Sequence, residues 1–272
     1  MTITTETITR IPTRLGALHV RILGEGPTVV CWPSMFVDGH TFDTLAPALA
    51  VDHRVVIVDG PGLGLSDALK RVSSIQEASE AAIELLAALD AGAVDWLGNA
   101  FGGHVGLKLA RREGLLRSLV AVSSPVEPIS PELRRKIRML LPLVKVIGAR
   151  EPIRGVIRQA MLTEASAADP RIRAVLDESL DRPAKRSMAY AIQSFILERT
   201  DVTAELADIR VPSLFVASDD RGDWAPEDAA ASAAATPWAR AVTVHAARTL
   251  VPLEQPRALH AHVRAFWDGL ED

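Results

Sequence analysis

Leu97-Gly98-Asn99-Ala100-Phe101-Gly102-Gly103 is the stretch that decides the fold. It follows the short apolar run 93–97, which reads as a buried strand, and it opens the run 103–113, whose apolar residues recur at helical spacing. A chain that passes from strand to helix within so few residues has to turn sharply. Gly98 and Gly102 lack the side chains that would collide with backbone across such a turn, and Ala100 stands between them in its strained position.

Outward from this turn the same alternation continues. Strand-like runs at 18–23, 28–32, 54–59, 118–122, 213–217 and 241–245 alternate with helical patterns at 42–50, 74–89, 226–235 and 256–267. That order predicts βαβ units around a mostly parallel sheet flanked by helices, an α/β fold. It breaks once. From Pro125 to about Thr200 no strand-like run appears, and Pro131, Pro142, Pro152, Pro170 and Pro183 punctuate helical periodicity. The expected organisation is therefore a core of residues 1–124 and 205–272 carrying an inserted helical cap, 125–204.

Composition narrows the function. The chain has 272 residues, 48% of them hydrophobic and 24% charged, which suits one globular core with a subdomain. A net charge of -4 gives no global basic field for nucleic acid, and no apolar run is long enough to span a bilayer, so neither nucleic acid nor membrane is an expected partner. The N-terminus lacks a basic start followed by an apolar stretch, so the expected location is cytoplasmic. Cys31 is alone, which excludes an intramolecular disulfide, and it lies among the apolar strand residues Val29, Val30 and Trp32. The histidines are scattered without ligand spacing, so no metal is expected. Gly60-Pro61-Gly62-Leu63-Gly64 lacks the spacing of a dinucleotide loop, so no cofactor is expected either.

The turn resembles the nucleophile elbow of the α/β-hydrolase family, G-x-S-x-G-G, with Ala100 in the place of the serine. Three further stretches carry the resemblance across the core. Asp59-Gly60-Pro61-Gly62-Leu63-Gly64-Leu65-Ser66 is similar to the family's turn after the fourth strand. Val29 to Phe36 occupies the place of the oxyanion strand and loop, with Pro33-Ser34 instead of His-Gly, and the implied oxyanion donors are the N–H groups of Met35 and Phe101. Leu250-Val251-Pro252-Leu253-Glu254-Gln255-Pro256 is similar to the family's closing motif G-H-L-V-P-L-E-Q-P, which puts Thr249 where the general base belongs and Arg248 where the preceding glycine belongs. For the acid, the family pattern laid onto residues 218–223 falls on Arg221, with Asp220 and Asp223 as the nearest carboxylates.

The resemblance thus implies an α/β-hydrolase fold of the enol-lactonase-like or epoxide-hydrolase-like branch with a degenerate catalytic triad. A methyl group at Ala100 forms no adduct, and threonine does not take and return a proton near neutral pH. Several separate departures at one site point to natural divergence rather than a single engineered serine replacement. His245 is a substitute base only if the loop is rearranged. Asp38 and His40 form either a short acid–base pair or part of a solvated loop, and His104 is a core or pocket histidine.

The expected substrate pocket is lined by Trp32, Ser34, Phe36, His104, Met139 and Trp224, and its expected ligand is an apolar small molecule with a carbonyl group. Arg134, Arg135, Lys136, Arg138, Lys145, Arg150, Arg154 and Arg158 make the first half of the cap basic, either a solvated face or a site for an anionic ligand or acidic partner. Three functions fit. The first is non-hydrolytic chemistry such as cyclisation, lyase or isomerisation steps, the second a catalytically inactive binder of a small molecule or partner, and the third an atypical hydrolase.

Overall fold

Backbone pairing assembles the strand-like runs into one eight-stranded sheet. The computed structural model describes residues 6–220 and 224–271. Its strands are β1 (Thr7–Thr13), β2 (Gly16–Leu23), β3 (Thr28–Trp32), β4 (Arg54–Val58), β5 (Val94–Asn99), β6 (Leu116–Val122), β7 (Ser213–Ser218) and β8 (Ala239–Val244). Across the sheet they run β1-β2-β4-β3-β5-β6-β7-β8. The first two pairings, β1 with β2 and β2 with β4, are antiparallel, and the remaining pairings are parallel. β3, β5 and β7 are buried along their whole length, as strands covered on both faces must be. β1 lies outside the runs read from the sequence: Thr7, Thr9 and Arg10 are polar and Pro12 lacks a backbone donor, features of an exposed edge strand.

The helices are α1 (Ala46–Leu49), α2 (Ile75–Ala88), α3 (Phe101–Leu109), α4 (Pro131–Ile147), α5 (Ile153–Met161), α6 (Glu164–Ala168), α7 (Pro170–Asp181), α8 (Lys185–Ile192), α9 (Pro226–Ala234), α10 (Val251–Glu254) and α11 (Pro256–Glu271). Period-two alternation along the strands builds two cores. Val30 and Trp32 join the apolar faces of α2 and α3, while Val29 and Cys31 join those of α1 and α11. The helical pattern at 42–50 yields only a 3-10 turn at Gly39–Phe42 and the short α1. Pro47 accounts for the break, because it cannot donate to the carbonyl of residue 43 and its ring crowds that carbonyl.

Between β6 and β7 lie α4 to α8, a π-helical turn (Gln193–Leu197) and a 3-10 turn (Thr203–Asp208), with no strand among them. Caps set their starts. Ser130 accepts from the Leu133 N–H with Pro131 in the first turn, and Asp169 accepts from the Arg171 N–H with Pro170 following. Polar ties fasten this segment to the core: the Ser187 hydroxyl donates to the Gly62 carbonyl at 3.0 Å, and the Ser73 N–H donates to the Ser194 hydroxyl at 2.8 Å. No described helix is long and apolar enough to cross a membrane.

Candidate functional site

Glycine packing forces the turn after β5. A Cβ on Gly98 would fall into the carbonyl of Gly102, and one on Gly102 would fall into the carbonyl of Trp32. With those approaches fixed, Ala100 adopts φ 46 and ψ -103, the left-handed side of backbone space that costs a residue with a side chain about 1–3 kcal/mol. Hydrogen bonds hold it there. The Ala100 N–H donates to the Val122 carbonyl at 2.7 Å, and the Ala100 carbonyl accepts from the His104 N–H at 3.0 Å and from the Ser124 hydroxyl at 3.2 Å. The Asn99 side-chain amide donates to the carbonyls of Val122 and Thr249, at 3.2 and 2.8 Å, tying the turn to the loop before α10.

Above Ala100 lies a cavity of about 230 Å³ between the C-terminal ends of β3 and β5 and the helical segment. Ser34, Met35, Phe36, Ala100, Phe101, His104 and Thr249 contribute to its wall from the core side, and apolar residues of α4, α5 and α8 close the other. Phe101 stacks on Phe195 with ring centroids 4.2 Å apart, joining the two sides. In size it lies between a cavity of ~150 Å³ that admits benzene and the ~300 Å³ at which pockets for larger ligands begin.

Thr249 also lines this space, and its loop is held by a set of hydrogen bonds. The Arg248 guanidinium makes two 3.2 Å contacts with the carboxylate of Asp220 and also donates to the Asp220 and Gln159 carbonyls. The Arg248 N–H donates to Glu254 at 2.8 Å, and the same carboxylate accepts from the Thr163 N–H at 2.8 Å. The N–H groups of Thr249 and Leu250 turn to the Met161 carbonyl, at 3.3 and 3.4 Å. The C-terminal end of α5 is thereby docked onto this loop. Asp220 is engaged by Arg248, and Asp223 and Arg221 lie outside the described residues.

The remaining titratable groups divide by burial. The His104 Nε2 lies 2.8 Å from the Pro125 carbonyl, which only accepts, so Nε2 carries the hydrogen and Nδ1 is bare. Burial, with the nearby Arg199 charge, holds its pKa down at about 3, so the ring is neutral. Asp38 is fully buried, with His40 Nδ1 at 2.7 Å and Arg182 paired to its other oxygen. Burial works to raise the Asp38 pKa, but the His40 hydrogen bond and the charges of His40 and Arg182 bring it below its ordinary value. His40 is raised, chiefly by its hydrogen bond to Asp38. The pair thus anchors the turn after α7 to the core and lies outside the cavity wall. His245 is mostly exposed, paired with Asp219 at 2.7 Å, and does not line the cavity. Burial raises the Cys31 thiol to about 12, so no thiolate forms there.

Three residues expected in the pocket lie elsewhere. Trp32 is buried one layer back, stacked on Trp96 at 5.4 Å, and Trp224 packs against Phe215 of β7 at 5.4 Å. Met139 is 70% exposed on α4, where the helical turn carries it away from the Leu133, Ile137, Leu140 and Val144 stripe that faces the cavity. Conversely, Ile157 and Met161 of α5, together with Arg199, line the wall without having been expected there. For the α5 residues the signal was present as helical spacing, since Ile153, Ile157 and Met161 form its buried stripe.

Comparison with known proteins agrees with this architecture. The profile described as the Alpha/beta hydrolase family matches residues 24–262. The chain belongs to that family. Polyketide synthase ThaQ of Burkholderia thailandensis is 30% identical over 272 residues, covering 93% of this chain but 12% of the synthase, so the chain spans a small part of that relative's length. The pimeloyl-[acyl-carrier protein] methyl ester esterase of Xanthomonas oryzae pv. oryzae is 26% identical over 233 residues, covering 84% of this chain and 89% of the esterase. Among solved structures, the enol-lactonase from Burkholderia xenovorans LB400 matches with a TM-score of 0.87 at 21% identity, over 96% of this chain and 100% of that one. A thermophilic esterase from Thermogutta terrifontis matches with a TM-score of 0.88 at 22% identity, over 98% and 100%. These two likenesses are of fold.

Proposed function

We propose that this member of the alpha/beta hydrolase family binds an apolar acyl compound by its carbonyl group and acts on it without covalent attachment, through a triad that has lost both nucleophile and base. The observation that carries the reading is the apolar cavity over Ala100, with Thr249 also in its wall. The N–H groups of Met35 and Phe101 orient the carbonyl oxygen; that of Phe101, at the first position of α3, has no acceptor within its helix. The methyl of Ala100 makes no bond to the carbonyl carbon, and with no base the site activates no water, so a thioester or ester survives. What remains is confinement: the wall folds the acyl chain so that its own groups meet, which favours ring closure or isomerisation within the ligand. Two relatives support the choice of ligand, one named as a polyketide synthase and one as acting on an ester of an acyl-carrier protein.

A second reading, binding without turnover, draws on the Arg248–Asp220 pair, which engages a carboxylate beside the site in a structural contact. Incubation with medium-chain β-keto and unsaturated acyl-pantetheine thioesters separates the readings. A product of unchanged mass but altered retention supports turnover, and stoichiometric recovery of unaltered thioester supports binding alone. Release of free acid at an enzymatic rate overturns both in favour of an atypical hydrolase.

A further inference from the structure

The cavity has one side that is closed and one that reaches solvent. On the closed side the loop at Arg248 to Leu250 is bonded to the end of α5. On the other, Leu133, Leu140 and Val156 both line the cavity and are exposed, by 40%, 36% and 51%. The mouth is therefore between α4 and α5, and whatever delivers a ligand must approach over α4.

The outer face of α4 has an unusual makeup for this chain. The net charge of the whole is -4, yet α4 carries five Lys and Arg residues against one acid, Glu132. Arg134 donates to the Leu197 carbonyl at 2.5 Å. Arg135, Lys136, Arg138 and Lys145 are exposed, and among the described residues none has a carboxylate within ion-pair distance. Helical periodicity places Arg135, Arg138 and Lys145 on one flank, and the exposed Met139, Leu143 and Val146 on the stripe between that flank and the mouth. At physiological salt the field of such a cluster extends about 8 Å, far enough to select a partner by charge and to align it before contact.

We propose that this face of α4 docks an acidic carrier-protein domain, whose tethered acyl group then enters the cavity between Leu133, Leu140 and Val156. The proposal rests on the acyl-binding reading above. Its cations meet the carrier's acidic surface, and Met139, Leu143 and Val146 supply the apolar contact. Three of the four cations stand on the flank away from the mouth, so the charge is concentrated on one face of α4. Such a concentrated field is complementary to a compact acidic body, and vesicle binding is the outcome that would favour a membrane instead.

The test uses the full chain with four probes: an octanoyl-loaded acyl carrier protein, the same carrier unloaded, octanoyl-pantetheine, and vesicles of phosphatidylcholine and phosphatidylglycerol in equal parts. In Arg135→Glu/Arg138→Glu, whose changes are on exposed residues, affinity for both carrier forms should fall by about tenfold or more. Affinity for octanoyl-pantetheine should stay unchanged. Equal carrier binding by this variant and the unmodified protein overturns the proposal, and so does binding of the vesicles without binding of either carrier form. Charge-dependent binding of the unloaded carrier, with no binding of octanoyl-pantetheine to the unmodified protein, would leave the docking face standing and remove the acyl-binding reading.

Discussion

Two sides of the cavity floor differ in kind. At the turn after β5 the backbone holds a strained arrangement, with Ala100 at φ 46, fixed by glycine packing. At the loop before α10 side chains hold the chain in place, because Arg248 binds Asp220 and reaches the Gln159 carbonyl of α5. The first is a turn held by close backbone packing. The second is a contact in which the helical segment and the core share hydrogen bonds. A turn kept by backbone packing is hard to alter, whereas a loop held by side-chain bonds can be loosened by removing one of them.

That contrast orders the expected effects of mutation. Gly102→Ala strikes the packing directly, since the new Cβ would enter the Trp32 carbonyl, and it should cost about 4 kcal/mol or prevent folding. Thermal unfolding measures it, and a shift of only a degree or two would mean that the turn relaxes more freely than its packing implies. Arg248→Met leaves the Asp220 carboxylate without its partner and frees the Gln159 carbonyl. It should cost about 2 kcal/mol, less than for a fully buried pair because Asp220 is one-third exposed. Limited proteolysis should then cut near the end of α5 sooner than in the unmodified protein; an unchanged cleavage rate would separate the loop from the helix.

His104 provides a smaller, pH-dependent effect. Its folded pKa of about 3 lies below the ordinary value of 6.5, so on acidification the unfolded chain takes up a proton that the folded chain refuses. Stability should therefore fall as pH drops from about 6.5 toward 3, by ~1 kcal/mol at about pH 5.5. Denaturant unfolding of His104→Asn should show a correspondingly flatter profile over that window. Smallest of all should be the gain from Ala100→Ser, under tenfold in hydrolysis of an activated ester, because members of a triad act as a unit. Ala100→Ser with Thr249→His should exceed it. A large gain from the single change would contradict the proposed absence of a working base at Thr249.

The sequence made the core legible because its signals are local. Gly98, Gly102 and Gly103 announce a tight turn, and short apolar runs of strand length announce β2 to β8. β1 was hidden because an exposed edge strand needs little apolar alternation, and the helix expected at 42–50 was cut short by Pro47. For the site, Ser34, Met35, Phe36, Phe101 and His104 could be placed near the turn from their positions in the core. Trp32, Trp224 and Met139 were chosen as large apolar side chains, and residue type does not tell which face of the sheet or helix they occupy. The bonds from Arg248 to Asp220 and Gln159 span 28 and 89 residues, and no local pattern encodes them.

The central claim is that the space over Ala100 holds an acyl compound without bonding to it. Titration calorimetry with octanoyl-pantetheine, followed by intact-protein mass measurement, tests it most directly when performed on the unmodified chain and on Ala100→Trp, whose indole would fill the cavity. The expected result is one-to-one binding by the unmodified chain with no added mass, and loss of that binding in a variant that keeps its circular dichroism and cooperative unfolding. An acyl adduct on the unmodified chain, or undiminished binding by the folded variant, would contradict the account.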